Sequence, residues 1–556
     1  MKARLFAVLF FTAGVALVIA WAVAAREPAG ESRTILNASP VLRLNLGSTD
    51  PTIDPALAAE WPSVFVVNQL FLGLVRADEE TGAPVPELAT AWLMSPDATV
   101  FTFTLRSGLT WTDGNPLTAH DVRYGILRSL NPATAAEYPY LLFFIRNAEE
   151  YNSGAITDPN QVGVTVLDYT HLRFTLRQPV AFFPSVLAEP MARPVPSWAI
   201  AAHPTDWTEP ANIVTNGPYE LTAWTHGEAM TLEKNPGYYD AANVQIERVS
   251  FSMVDDATAW GMYQTGQLDS ALVPQGEWNT ARSDPALSQQ LHVAYKRGTY
   301  YYGFNTAKAP FDHPLVRMAF SAAVNRQEIL DTVTRSADQP ALTFTPPGVW
   351  GHVDGQSAGV GIPYNPAKAR QWLAAAGYPN GQGLPPITLM IDTRFFDQNM
   401  AIASYLRQHW ADELGATVTI SNTEWANYLE LLSTDAPQMW QLRWLADYSD
   451  GHGFLRDCVD SFGRANYGYW NDLAYEGLLN LAARTADLDE RASLYHQAEE
   501  ILVETDAVMI PILYFAQGIA AKPYLKRSYG SGGYEGRIAD WRITWRVFLP
   551  VVLRGS

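Results

Sequence analysis

Residues 5–25 form an apolar run broken only by Thr12 and Gly14, and Lys2 and Arg4 stand ahead of it. Positive charge before such a run holds its N-terminus inside, so everything after Arg26 is expected to be exported. Ala22-Val23-Ala24 fits the small-x-small pattern of a signal cleavage site. At about 21 residues the run also suffices to cross roughly 30 Å of hydrocarbon, so a retained anchor stands beside a cleaved signal. No cysteine lies near it, and a lipid-anchored N-terminal cysteine is not expected. The single Cys458 cannot form an internal disulfide, so stability must come from core size. A chain of 556 residues allows that, but it exceeds one hydrophobic core and implies two or three lobes.

Hydrophobic residues make up 48% of the chain and charged residues 17%, the balance of a globular protein. The formal charge of −19 repels a phosphate backbone and argues against nucleic acid as a partner. Many of the 18 Trp and 26 Tyr lie beside Gly and Pro rather than on clean helix faces. They fit either a large core or an aromatic-lined cleft, where rings supply apolar area with a polar handle.

Strands and helices interleave. Residues 41–47 alternate Leu42, Leu44 and Leu46 with Arg43 and Asn45, and the same period recurs at Phe101, Phe103 and Leu105 and at Leu172, Phe174 and Leu176. Thr118 with Asp121 resembles a capping pair opening a helix through Leu130, which Asn131-Pro132 ends. A second helix starts at Asp312, with Pro314 in its first turn and Val316, Phe320, Ala323 and Val324 on one face. A third carries Leu488, Ala492, Tyr495, Ala498 and Leu502, and leads into an apolar strand at 507–515. Residues 27–40 read as a tether. The Gly/Pro-rich stretches 345–366 and 377–386 read as long surface loops. The class is α/β without repeats.

No motif supports an enzyme. GQSAG at 355–359 matches G-x-S-x-G, but neither strand nor helix flanks it as a nucleophile elbow requires, so Ser357 is not expected to react. The ten histidines are scattered, and Asp447, Asp450 and His452 match no standard metal cage. Gly530, Gly532, Gly533 and Gly536 lack the Lys-Ser/Thr of a phosphate loop. Cys458 has no identifiable basic partner to activate it. Paired carboxylates for glycoside hydrolysis are a matter of three-dimensional separation and leave no trace in sequence.

Four ordered segments carry a resemblance. VPELATAWLMSPDATVFTFTLRSGLTWTDGNPLTAHDV (85–122), NGPYELTAWTHGEAMTLEKNPGYYD (216–240), YYGFNTAKAPFDHPLVRMAFSAAVNRQEIL (301–330) and WLADYSDGHGFL (444–455) resemble hallmark stretches of one family. It is that of the family 5 extracytoplasmic solute-binding proteins, the oligopeptide- and dipeptide-binding receptors of ABC importers. The resemblance runs from about residue 41 to 515.

It implies a bilobal type II periplasmic-binding-protein clamshell with an extra subdomain on lobe I. Lobe I would comprise 41–82, 195–300 and 510–556 with the C-terminal tail, its inserted subdomain 83–194, and lobe II 301–509. Residues 1–25 would be the signal or anchor and 26–40 the linker. The implied ligand is a short peptide and the implied partners are membrane permease subunits, with the receptor a monomer, not an enzyme, and without metal or other cofactor. In peptide-binding relatives an Asp after Trp-x-Ala pairs with the ligand's α-ammonium group; here it is Asp447. A carboxylate in a closing, aromatic-walled cleft meets an ammonium at low effective dielectric, where the pair is stronger than in water. The same resemblance implies ligand contacts for Trp61, Tyr301, Trp425, Leu429 and Trp444. Two departures stand out: Arg443 replaces the Gly expected before that Trp, and Asp450-Gly451 replaces Asp-Pro. Arg443 either grips a ligand carboxylate or fills the pocket. Oligosaccharide or chelated nickel are the alternative ligands, with His452 the obvious candidate near a nickel.

Overall fold

Two long strands, Leu291–Phe304 and Met509–Ala521, lie side by side and antiparallel in the computed structural model. The structure describes residues 41–457, 459, 465–529 and 536–544. The expected signal or anchor, the linker, Cys458, Gly530, Gly532, Gly533 and the tail beyond residue 544 lie outside the described residues. The two strands sit within a seven-stranded sheet ordered Ser270–Leu272, Met509–Ala521, Leu291–Phe304, Met439–Leu445, Ile387–Asp392, Val418–Thr423, with Gln339–Pro340 added beside Met509–Ala521. Because strand side chains alternate, the two faces bury different cores. Tyr300, Tyr302, Phe304 and Met439 pack into one, and Tyr301, Trp440 and Leu442 into the other.

The ladder between the two crossing strands breaks between Tyr295 and Thr299. Before the break the pair adjoins Ser270–Leu272; after it, Leu291–Phe304 pairs with Met439–Leu445. The break therefore marks the joint between two lobes. A second sheet, Val41–Asn45, Arg248–Ser252, Ala229–Lys234 and Tyr219–Thr225, lies in the first lobe. Only its Val41–Asn45 pair is parallel. A third, all antiparallel, is built from Ala89–Met94, Val100–Leu105, His171–Thr175 and Val164–Val166. This is the inserted subdomain: the fold is an α/β clamshell of two lobes with an addition on the first.

The period-two segments are all strands, with Leu42, Phe101, Phe103, Leu172 and Phe174 buried. Thr118 and Asp121 form a capping box that opens Ala119–Leu130. The helix Pro314–Ala322 takes His313 rather than Asp312 as its cap. Asp487 caps Leu488–Glu500. The stretch 345–366 differs from the expectation of a surface loop. Val349, Trp350, Val353, Val360 and Ile362 are buried, and Glu499 accepts the Phe344 and Thr345 backbone N–H groups at 2.9 and 2.6 Å. A buried carboxylate satisfying those donors lets an irregular segment enter a core.

Candidate functional site

Beside the break in the ladder lies a cleft of about 540 Å³. Glu60 and Trp61 line it from the first lobe, Lys296 and Arg297 from the joint, and Leu445 and Ala446 from the second lobe. Its position follows from topology. Ile387–Asp392 runs parallel to both Val418–Thr423 and Met439–Leu445, so the carboxyl ends of all three point the same way. Ligands of open α/β sheets bind outside such ends. The residues that follow are Arg394 to Phe396, Glu424 and Trp425, and Ala446 and Asp447.

Each wall is fixed from behind. Arg128 Nη1 donates to Asp54 Oδ1 at 2.8 Å, tying the loop before Glu60 to the inserted subdomain. Glu60 then holds the position before the helix Trp61–Leu70 without a side-chain cap bond, and Pro62 suits the first turn. Trp61 stacks on Phe65 at 5.7 Å. Asp50 anchors the neighbouring loop by accepting from Gly227 N at 2.9 Å and bonding His226 Nδ1 at 2.6 Å. In the joint, Ala446 N donates to Arg297 O at 2.7 Å, and Arg297 pairs with Glu189 at 3.6 Å. Gly298 has no room for a Cβ, which would strike Leu445 Cδ2 and Phe515 Cδ2.

The expected site residues fall into distinct places. Asp447 is exposed just past the end of Met439–Leu445. The Tyr138 phenol of the inserted subdomain is pushed above its ordinary range, first by burial, then by the charges of Asp447, Glu137 and Glu60. Three segments thus bring carboxylates around one tyrosine. Trp425 opens the helix Trp425–Asp435, with Leu429 one turn on, both half-buried, and the Arg394 guanidinium lies 2.9 Å from the Trp425 ring centre. Trp444 is half-buried and donates from Nε1 to Gly453 O at 2.9 Å. Tyr301 is 2% exposed and packs edge-on to Phe344 at 5.0 Å, inside the second lobe. Arg443 lies on the opposite strand face from Trp444, with its Nη2 bonded to Gln398 Oε1 (2.9 Å) and Asn399 Oδ1 (3.0 Å). Its guanidinium sits 4.1 Å from the Phe395 ring centre and forms no ion pair among the described residues.

The other candidates of residues 444–455 are structural. Asp450 is fully buried, pairs with Arg491 at 3.0 Å and accepts from Tyr495 OH at 2.7 Å. His452 is buried against Phe182, ring centres 3.9 Å apart, with Nδ1 3.0 Å from Tyr448 OH, and burial holds its pKa well below the usual range. No group of three or more His, Cys, Asp or Glu able to hold a metal occurs among the described residues. Ser357 is exposed on the short helix Gly355–Ala358 and bonds Asp354 Oδ2 at 2.9 Å, with no strand entering it. Sequence reasoning missed Tyr138, Arg394 and Phe395. Arg394 and Phe395 follow the carboxyl end of Ile387–Asp392, and Tyr138 is reached by the charge of Asp447; only the sheet order and the placement of the inserted subdomain reveal this.

Two α/β lobes joined by crossing strands, with a cleft at the joint, make a clamshell. Residues 83–466 match the family model "Bacterial extracellular solute-binding proteins, family 5 Middle", and the chain belongs to that family. It is similar to the dipeptide-binding protein DppE of Bacillus subtilis, 33% identical over 91% of this chain and 93% of that protein. It is equally similar, 33% over 89% and 91%, to the probable deoxycholate-binding periplasmic protein YgiS of Escherichia coli. The fold matches the unliganded open form of the periplasmic murein tripeptide binding protein MppA with a TM-score of 0.82, at 29% identity over 91% of this chain and 97% of that one. No helix among the described residues is long and apolar enough to cross a membrane.

Proposed function

We propose that this chain is an extracytoplasmic receptor that captures a short peptide between its lobes and delivers it to an ABC permease, performing no chemistry itself. The observation that carries the reading is Asp447, exposed at the carboxyl end of the second-lobe sheet two residues beyond Leu445, which lines the cleft. A peptide's ammonium group entering there meets a negative field, and lobe closure then excludes water and strengthens the pair. Backbone groups of an extended ligand pair with strand edges, which gives affinity without sequence selectivity. Trp61, Trp425 with Leu429, and Trp444 supply apolar walls; Tyr301 supports them from within the lobe. Residues 1–25 export the chain or hold it at the membrane, and residues 26–40 tether it. The receptor acts as a monomer.

The test is thermal stability of residues 41–556 against pools of di- to pentapeptides, oligosaccharides and bile acids, with recovery of the bound compound by mass spectrometry. A ligand at a hundred times its dissociation constant stabilises by about 2.7 kcal/mol. A peptide-pool shift abolished by Asp447→Asn, with intact peptide recovered, is the expected result. A shift with bile acids alone, unchanged in Asp447→Asn, overturns the peptide reading; cleaved peptide overturns the reading that no chemistry occurs.

A further inference from the structure

Phe395 stands at the cleft end of the second lobe under two unfavourable conditions. Its backbone is left-handed, φ 54° and ψ 39°, which a bulky aromatic residue adopts only under constraint. Its ring is nevertheless 66% exposed to water. The chain therefore spends strain to hold an apolar ring outward, and a left-handed cap before the helix Phe396–Leu414 is a place where glycine or asparagine sits at ease.

The ring is not isolated. It rests 4.1 Å from the Arg443 guanidinium, which lies 5.7 Å from the Phe515 ring. Phe515 Cδ2 and Leu445 Cδ2 close together over Gly298. Leu445 is 59% exposed and lines the cleft, and Phe396 is 39% exposed. Phe395 and Phe515 are thus arrayed around the Arg443 guanidinium, with Leu445 two positions along the same strand face and two residues before Asp447. Large apolar groups exposed together at a cleft are the ordinary signature of a surface that something else covers.

We propose that Phe395 and Leu445 form a specificity-determining subsite that takes a large apolar or aromatic side chain of the bound peptide. The inference rests on the peptide reading above. The occupant is the ligand because Leu445 lines the same cleft as Trp61, so a group held on Leu445 remains within that cleft. Arg443 then acts as a platform: its neutral amide partners leave it in place, and its charge faces the rings through cation–π contact.

The experiment is calorimetric titration of residues 41–556 with a tripeptide series in which Phe, Leu, Ser or Ala occupies each position in turn. The wild type is expected to prefer Phe or Leu at one position by tenfold or more. Phe395→Ala and Phe395→Gly are expected to remove that preference while Ala- and Ser-containing peptides bind as before. Phe395→Gly is also expected to melt at or above the wild-type temperature, because glycine relieves the left-handed strain. Equal weakening of every peptide overturns the subsite and makes Phe395 a lobe-closing contact instead. Unchanged preference in both variants overturns it outright while leaving the peptide reading intact. Failure of the wild type to bind any peptide of the series overturns both.

Discussion

Replacing one member of the Asp450–Arg491 pair should be among the costliest single changes in the second lobe. Asp450 and Arg491 are 0% and 1% exposed, and their Nη2–Oδ2 distance is 3.0 Å. Tyr495 OH and His452 N, at 2.7 and 3.1 Å, complete the carboxylate's partners, and Trp350 lies 4.1 Å from the guanidinium carbon. At an effective dielectric of 20 the attraction at that distance is about 5 kcal/mol. Desolvating two ions costs several kcal/mol each, so the intact pair contributes little net stability. Removing one partner is different, because it strands a buried charge: about 3–5 kcal/mol is lost. Asp450→Asn keeps the shape and an acceptor oxygen, so the loss reports charge rather than packing. For a cooperative unit of 150–250 residues each kcal/mol lowers the melting temperature by about 2–4 °C. Urea unfolding of ligand-free Asp450→Asn, Arg491→Met and the double variant, followed by tryptophan fluorescence, gives the coupling energy. Each single variant should lose about 3–5 kcal/mol and the double variant markedly less than their sum. Strict additivity, or a single variant within about 1 kcal/mol of wild type, refutes the reasoning.

His226 bridges Asp50 Oδ2 at 2.6 Å and Glu209 Oε1 at 3.2 Å, and the Asp50 hydrogen bond, ahead of any other favourable contact, raises its pKa. A raised folded pKa means the stabilisation is complete below the unfolded value, near pH 6.5, and fades as pH rises through the folded one. Urea midpoints between pH 5 and 9 should therefore fall through that window in the wild type and not in His226→Gln; parallel profiles sink the claim. Phe182, 1% exposed, carries the inserted subdomain onto Tyr448 (ring centres 5.5 Å apart, planes 6°) and His452. Phe182→Ala should cost about 3–5 kcal/mol in the same assay, and a loss under about 1 kcal/mol would show that the stack is slack.

Local pattern carried the elements well, because alternation at Phe101, Phe103 and Leu105 and the Thr118–Asp121 box are decided by neighbours in sequence. Residues 345–366 were misjudged because Gly and Pro density reports turns, not depth. Glu499, some 150 residues away, satisfies the backbone donors of Phe344 and Thr345 where that segment begins, and Val349, Trp350, Val353 and Val360 pack in one core with Tyr495, Ala498 and Leu502. Arg443 shows the same limit at the site. That it shares a strand face with Met439 and not with Trp444 was implicit in the period of two, but which face meets the cleft required the sheet order. Phe395 was invisible for a further reason: nothing in R-F-F-D announces a left-handed backbone.

The stretch 444–455 places two carboxylates three residues apart, one exposed and one buried. Asp450 finds its cation within the chain, in Arg491, so its charge is committed to the fold. Asp447 lies exposed beyond the strand end, and the charges that reach Tyr138 alongside it, from Glu60 and Glu137, are negative too. In the proposed reading a ligand's ammonium group is drawn to the Asp447 carboxylate, and that attraction grows as closure removes water.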